Sequence, residues 1–190
     1  MKTLIVTLAM MVQLSANAMT KAEAAQLIQA QVQKLGKIAY GFDVQTVKGK
    51  NAHEMLINFV AKDQGEKPAD VQLVNKEAKD IAFGDEIETG FTSMKSAIEL
   101  IGNAESDLEQ YVDDSGLEPQ DPQLRQKRAK LKLMKTQWAP AIMAMRGTNV
   151  QFGYDGHGPG YCGVSFVRLL VIDPNSQKIY FVYLSQSGEC

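Results

Sequence analysis

The residues best able to do chemistry lie in one stretch, Gly153-Tyr154-Asp155-Gly156-His157-Gly158-Pro159-Gly160-Tyr161-Cys162-Gly163. Five glycines and a proline in eleven residues predict a loop, because such runs serve tight turns and close backbone approach. The loop is expected to present Tyr154, Asp155, His157 and Tyr161 on a short, constrained protrusion. Three uses compete with a plain connection. A constrained loop loses less entropy on docking and suits recognition of a protein partner. Cys162 with His157 could act as nucleophile and base of a cell-wall amidase or peptidase, although no third orienting group is evident. Asp155 and His157 could hold a metal, but with His53 and His157 as the only histidines a zinc site would need scattered carboxylates. The sequence therefore points to no metal and no cofactor, and it has no phosphate-binding loop, Gly-x-Ser-x-Gly elbow or dinucleotide fingerprint.

The start of the chain bears on that choice. Lys2, the apolar run Thr3 to Val12, and the small residues Ala16 and Ala18 read as a cleavable secretory signal over residues 1–18. The run is shorter than the roughly 20 residues a membrane span needs. Export, to a periplasm or beyond it, places Cys162 and Cys190, the only cysteines, in an oxidising compartment, where a disulfide is their simplest fate. Such a bridge contributes roughly 3–4 kcal/mol in the chain-entropy model. It makes Cys162 an anchor of the loop and moves the loop from catalysis towards binding. A signal peptide, a small α+β domain and a bridged loop bearing a histidine together resemble the plan of several periplasmic inhibitors and immunity proteins. That plan implies a protein partner in the cell envelope.

The formal net charge is −2, too balanced for general attraction to nucleic acid or anionic lipid. Residues 19–190 read as one domain. Thr20-Lys21-Ala22-Glu23 is a capping box opening a helix with Ala24, Ile28, Val32 and Leu35 on one face and Gly36 as its stop. Alternation at Ile38, Tyr40, Phe42 and Val44, then at Met55, Ile57 and Phe59, predicts a β-hairpin from about 37 to 61. Residues 70–83 fit either a strand or a helix. A helical hairpin is expected at about 86–146, with Phe91, Met94, Ile98, Ile101, Leu108 and Tyr111 on one arm. Asp121 and Pro122 open the other arm, and Pro140 kinks or splits it.

The first arm is acidic. The second is basic through Arg125, Lys127, Arg128, Lys130, Lys132 and Lys135, and the two are expected to attract each other. An alternative is that this basic strip meets an anionic partner in an envelope assembly. Strands follow at 150–154, 164–172 and 179–184, and Arg168 within them needs a partner or an exit to solvent. The expected fold is therefore α+β. An antiparallel sheet of about five strands, the N-terminal hairpin plus three C-terminal strands, packs against the N-terminal helix and the helical hairpin.

Overall fold

A computed structural model describes residues 19–74, 87–157 and 164–188. The fold is α+β, built on a five-stranded antiparallel sheet. Its strands are β1 (Gly41–Thr46), β2 (Ile87–Thr92), β3 (Gln151–His157), β4 (Val164–Asp173) and β5 (Lys178–Gly188), in the order β1-β5-β4-β3-β2. The helices are α1 (Lys21–Ile38), α2 (Ala52–Gln64), α3 (Met94–Glu99), α4 (Ile101–Ser115) and α5 (Pro122–Met143).

The Thr20–Glu23 capping box forms as the residue types require, with Thr20 accepting from the Glu23 amide at 3.2 Å and Glu23 accepting from the Thr20 amide at 2.8 Å. Gly36 does not stop α1, which continues to Ile38 and is capped at Ala39. Gly36 serves close approach instead: a Cβ there would lie 2.3 Å from the Phe42 ring.

The N-terminal hairpin does not form. β1 is a strand, but the expected second strand is helix α2. Asn51 accepts from the Glu54 amide at 2.9 Å, Glu54 accepts from the Lys50 amide at 3.0 Å, and Gly65 ends the helix in the left-handed conformation. The buried set Ala52, Met55, Leu56, Phe59 and Val60 has helical spacing. Of the alternating residues, Met55 and Phe59 belong to that stripe and Ile57 is only half-buried at its margin. β1 pairs with β5 instead, and the fifth strand is β2, which contains Phe91 and pairs with β3. Phe91 is therefore a strand residue, not a helical one. In the ambiguous segment, Val74 makes a single parallel bridge to Gly90, and residues 75–86 lie outside the described ones.

Each sheet face has its own core. On one, Ile28, Val32 and Leu35 of α1 and Met134, Trp138 and Ile142 of α5 pack with Tyr154, Leu169, Val171 and Val182. On the other, α2 places Met55, Leu56, Phe59 and Val60 on Leu170, Ile172, Ile179 and Phe181. β4 and β5 are apolar because they are covered on both faces. The helical arms α4 and α5 meet as expected, with Lys135 and Glu105 paired at 2.7 Å and the Lys127 ammonium 4.1 Å from the Tyr111 ring centroid. Pro140 sits one turn from the end of α5, which runs through it to Met143. No helix among the described residues is long and apolar enough to cross a membrane.

Candidate functional site at the base of the glycine-rich hairpin

The glycine-rich run is in part a strand. Its first five residues, Gly153 to His157, belong to β3, paired with β2 on one side and β4 on the other. Tyr154 and Asp155 are therefore not on a protrusion. Tyr154 is fully buried among the helices, and Asp155 is 1% exposed. The glycines follow from packing. Gly153 and Gly90 lie where strands and the 71–74 segment approach closely: a Cβ on Gly153 would come within 2.8 Å of the Gly90 carbonyl, and one on Gly90 within 2.4 Å of the Val74 carbonyl.

Asp155 stands in a transverse polar row. The register sets Thr89 of β2 opposite Asp155, Asp155 opposite Arg168 of β4, and Arg168 opposite Tyr183 of β5. The row lies on the α2 face, since Arg168 and Tyr183 alternate with Leu170 and Phe181 of that core. The Thr89 hydroxyl donates to Asp155 Oδ1 at 3.0 Å, Arg168 Nη2 donates to Asp155 Oδ2, and Arg168 Nη1 donates to the Tyr183 hydroxyl at 3.4 Å. The guanidinium lies 5.0 Å from the Phe181 ring centroid and 5.6 Å from that of Tyr183, within cation–π range. A register shift in the β4–β5 ladder falls between Val167 and Arg168, at the point where the row crosses.

Burial dominates the electrostatics. It pushes the Asp155 carboxyl above its ordinary value, against the opposing pull of Arg168 and Thr89, and the Asp63 charge adds to the push. For Arg168, burial acts downward, but Asp155 and Tyr183 reverse it and leave the guanidinium raised. The side chains are 2% and 15% exposed respectively, so the pair is a sealed tie between β3 and β4 with a small opening on the arginine side.

Arg168, a charge within an apolar strand, needs a partner, and Asp155 is that partner. Thr89 and Tyr183 gave no sequence signal, because only the strand register brings them into the row. His157 closes β3, two residues beyond the tie. Tyr161, Cys162 and Cys190 lie outside the described residues, so the expected Cys162–His157 pairing and the expected disulfide fall there too. His53, assigned no role, stacks on Phe91 with ring centroids 5.9 Å apart. Compared with known proteins, the chain matches no family model, no curated protein and no solved structure.

Proposed function

We propose that the chain is exported and acts by binding another protein of the cell envelope, in the manner of an inhibitor or immunity protein. The contact element is the connection between β3 and β4, with His157 and Tyr161 as its recognition residues. The observation that carries this reading is the buried Asp155–Arg168 tie across β3 and β4. It fixes the base of the hairpin two residues before the connection begins. A loop on a fixed base is pre-organised and loses less entropy on docking.

Pull-down from a periplasmic extract tests the reading. The wild-type chain should recover a partner that a His157→Ala, Tyr161→Ala double variant does not, and equal recovery removes the loop from the contact. Thiol titration of the exported protein under denaturing, non-reducing conditions should find no free thiol. Two free thiols would favour the cysteine-dependent amidase or peptidase.

A further inference from the structure

We propose that the outer face of the α4–α5 hairpin joins two copies of this chain face to face, α4 of each lying on α5 of the other. The two helices are antiparallel neighbours. The Tyr111 hydroxyl donates to Gln123 Oε1 at 3.1 Å near the turn, and Glu105 pairs with Lys135 at 2.7 Å farther along. Those contacts set Asp113 level with Arg125 and Glu109 level with Arg128. All four are exposed, and so is Lys132. Glu109 and Asp113 stand four residues apart on α4, while Arg125, Arg128 and Lys132 follow at intervals of three and four on α5. Each set therefore occupies one face of its helix. Glu109, Asp113 and Arg128 line an open groove between the helices, together with the half-buried Leu108 and Val112.

Charge complementarity selects a second copy as the occupant. Among the described residues none of these five charges forms an ion pair within its own copy. The acidic and basic rows lie side by side instead. A two-fold axis running along the groove carries α4 of one copy onto α5 of the other at the same level. Asp113 then meets the second copy's Arg125, Glu109 meets its Arg128, and the symmetry repeats both pairs. Leu108 and Val112 of the two copies come together along the axis. An anionic partner would match the basic row and be repelled by the acidic one, and a cationic partner the reverse. The chain's own face matches both rows at once. Single exposed pairs contribute little, so a weak dimer is expected, with its specificity set by the charge pattern.

Sedimentation velocity on the purified protein over a concentration series tests this. A reversible monomer–dimer equilibrium is expected. It should weaken with salt, as the screening length falls from about 30 Å at about 0.01 M to about 3 Å at about 1 M. Glu109→Lys with Asp113→Lys makes the face wholly basic, and Arg125→Glu with Arg128→Glu makes it mainly acidic. Each double variant alone should dimerise about tenfold more weakly, a change of about 1.4 kcal/mol, with an unchanged circular dichroism spectrum. Mixed in equal amounts, the two should associate with each other, because opposite charges then meet on both halves of the face. That rescue separates lost complementarity from lost folding. A chain that stays monomeric at every concentration overturns the proposal. So does a dimer that neither reversal weakens, or a mixture that does not associate. The loop variants His157→Ala and Tyr161→Ala should leave the dimer intact, which separates this contact from the one proposed above.

Discussion

Arg168 is placed where a charge is costly, in the middle of an apolar strand and under α2. Asp155 supplies the opposing charge that makes that position tolerable, beside the Tyr183 hydroxyl and the Phe181 ring, and Arg168 does the same for the Asp155 carboxylate. Removing one member strands the other, and breaking a buried pair costs about 3–5 kcal/mol. Arg168→Met should therefore lower stability by about that amount, read as a shift of the urea midpoint at constant slope. Asp155→Val with Arg168→Met together should recover most of the loss, because an apolar replacement of a buried pair is often neutral. If the double variant is as unstable as the single one, the row does more than compensate charge.

The raised Asp155 carboxyl has a pH consequence. Its ordinary value is 3.8. Above that value the native state holds the proton more tightly than the unfolded chain, so the unfolded state binds fewer protons and stability falls as pH rises. The contribution is fully present below 3.8 and is lost as pH climbs through the raised folded value. Asp155→Asn should flatten that decline in a urea series taken across the acid range.

At the scale of elements, α2 shows why one periodicity can hide another. Ala52, Met55, Leu56, Phe59 and Val60 are buried and Ile57 half-buried, so the odd-numbered apolar residues alone imitate a strand. The capping residues decide between the readings. Asn51 and Glu54 satisfy the first amides, and Gly65 supplies the left-handed stop at φ 71°. That pattern was present in the sequence, three residues apart, and it outweighs alternation once both are weighed. Asn51→Ala should destabilise the protein by about 1 kcal/mol, seen in thermal unfolding. A change near zero would mean that packing against β4 and β5 alone holds the helix. Elsewhere local chemistry was sufficient. The Asp121 carboxylate accepts from the Gln123 amide at 2.7 Å with Pro122 in the first turn. Asp173 accepts from the Asn175 amide at 3.0 Å and the Ser176 hydroxyl at 2.5 Å to make the β4–β5 turn. Each of these elements is specified by residues within one turn of each other.

Across the whole molecule, Trp138 links distant parts of the chain. It is buried in the larger core, and its indole N–H donates to the Ala97 carbonyl at 3.0 Å, taking up one of the end carbonyls of the short helix α3. Trp138→Phe should cost about 1–3 kcal/mol through that unpaired carbonyl, and the loss should be visible as faster amide exchange in α3. The sequence by itself determined the α+β class, the apolar central strands, the starts of α1 and α5 and the need of Arg168 for a partner. These follow from periodicity, caps and the cost of a buried charge, all of which act locally. Tertiary structure alone decided that β2 supplies the fifth strand, that Tyr154 and Asp155 are buried, and that Thr89, Asp155, Arg168 and Tyr183 form one row. Those outcomes depend on pairing register between strands far apart in sequence, 66 residues in the case of Thr89 and Asp155. A one-residue slip in that register would turn every side chain to the other face.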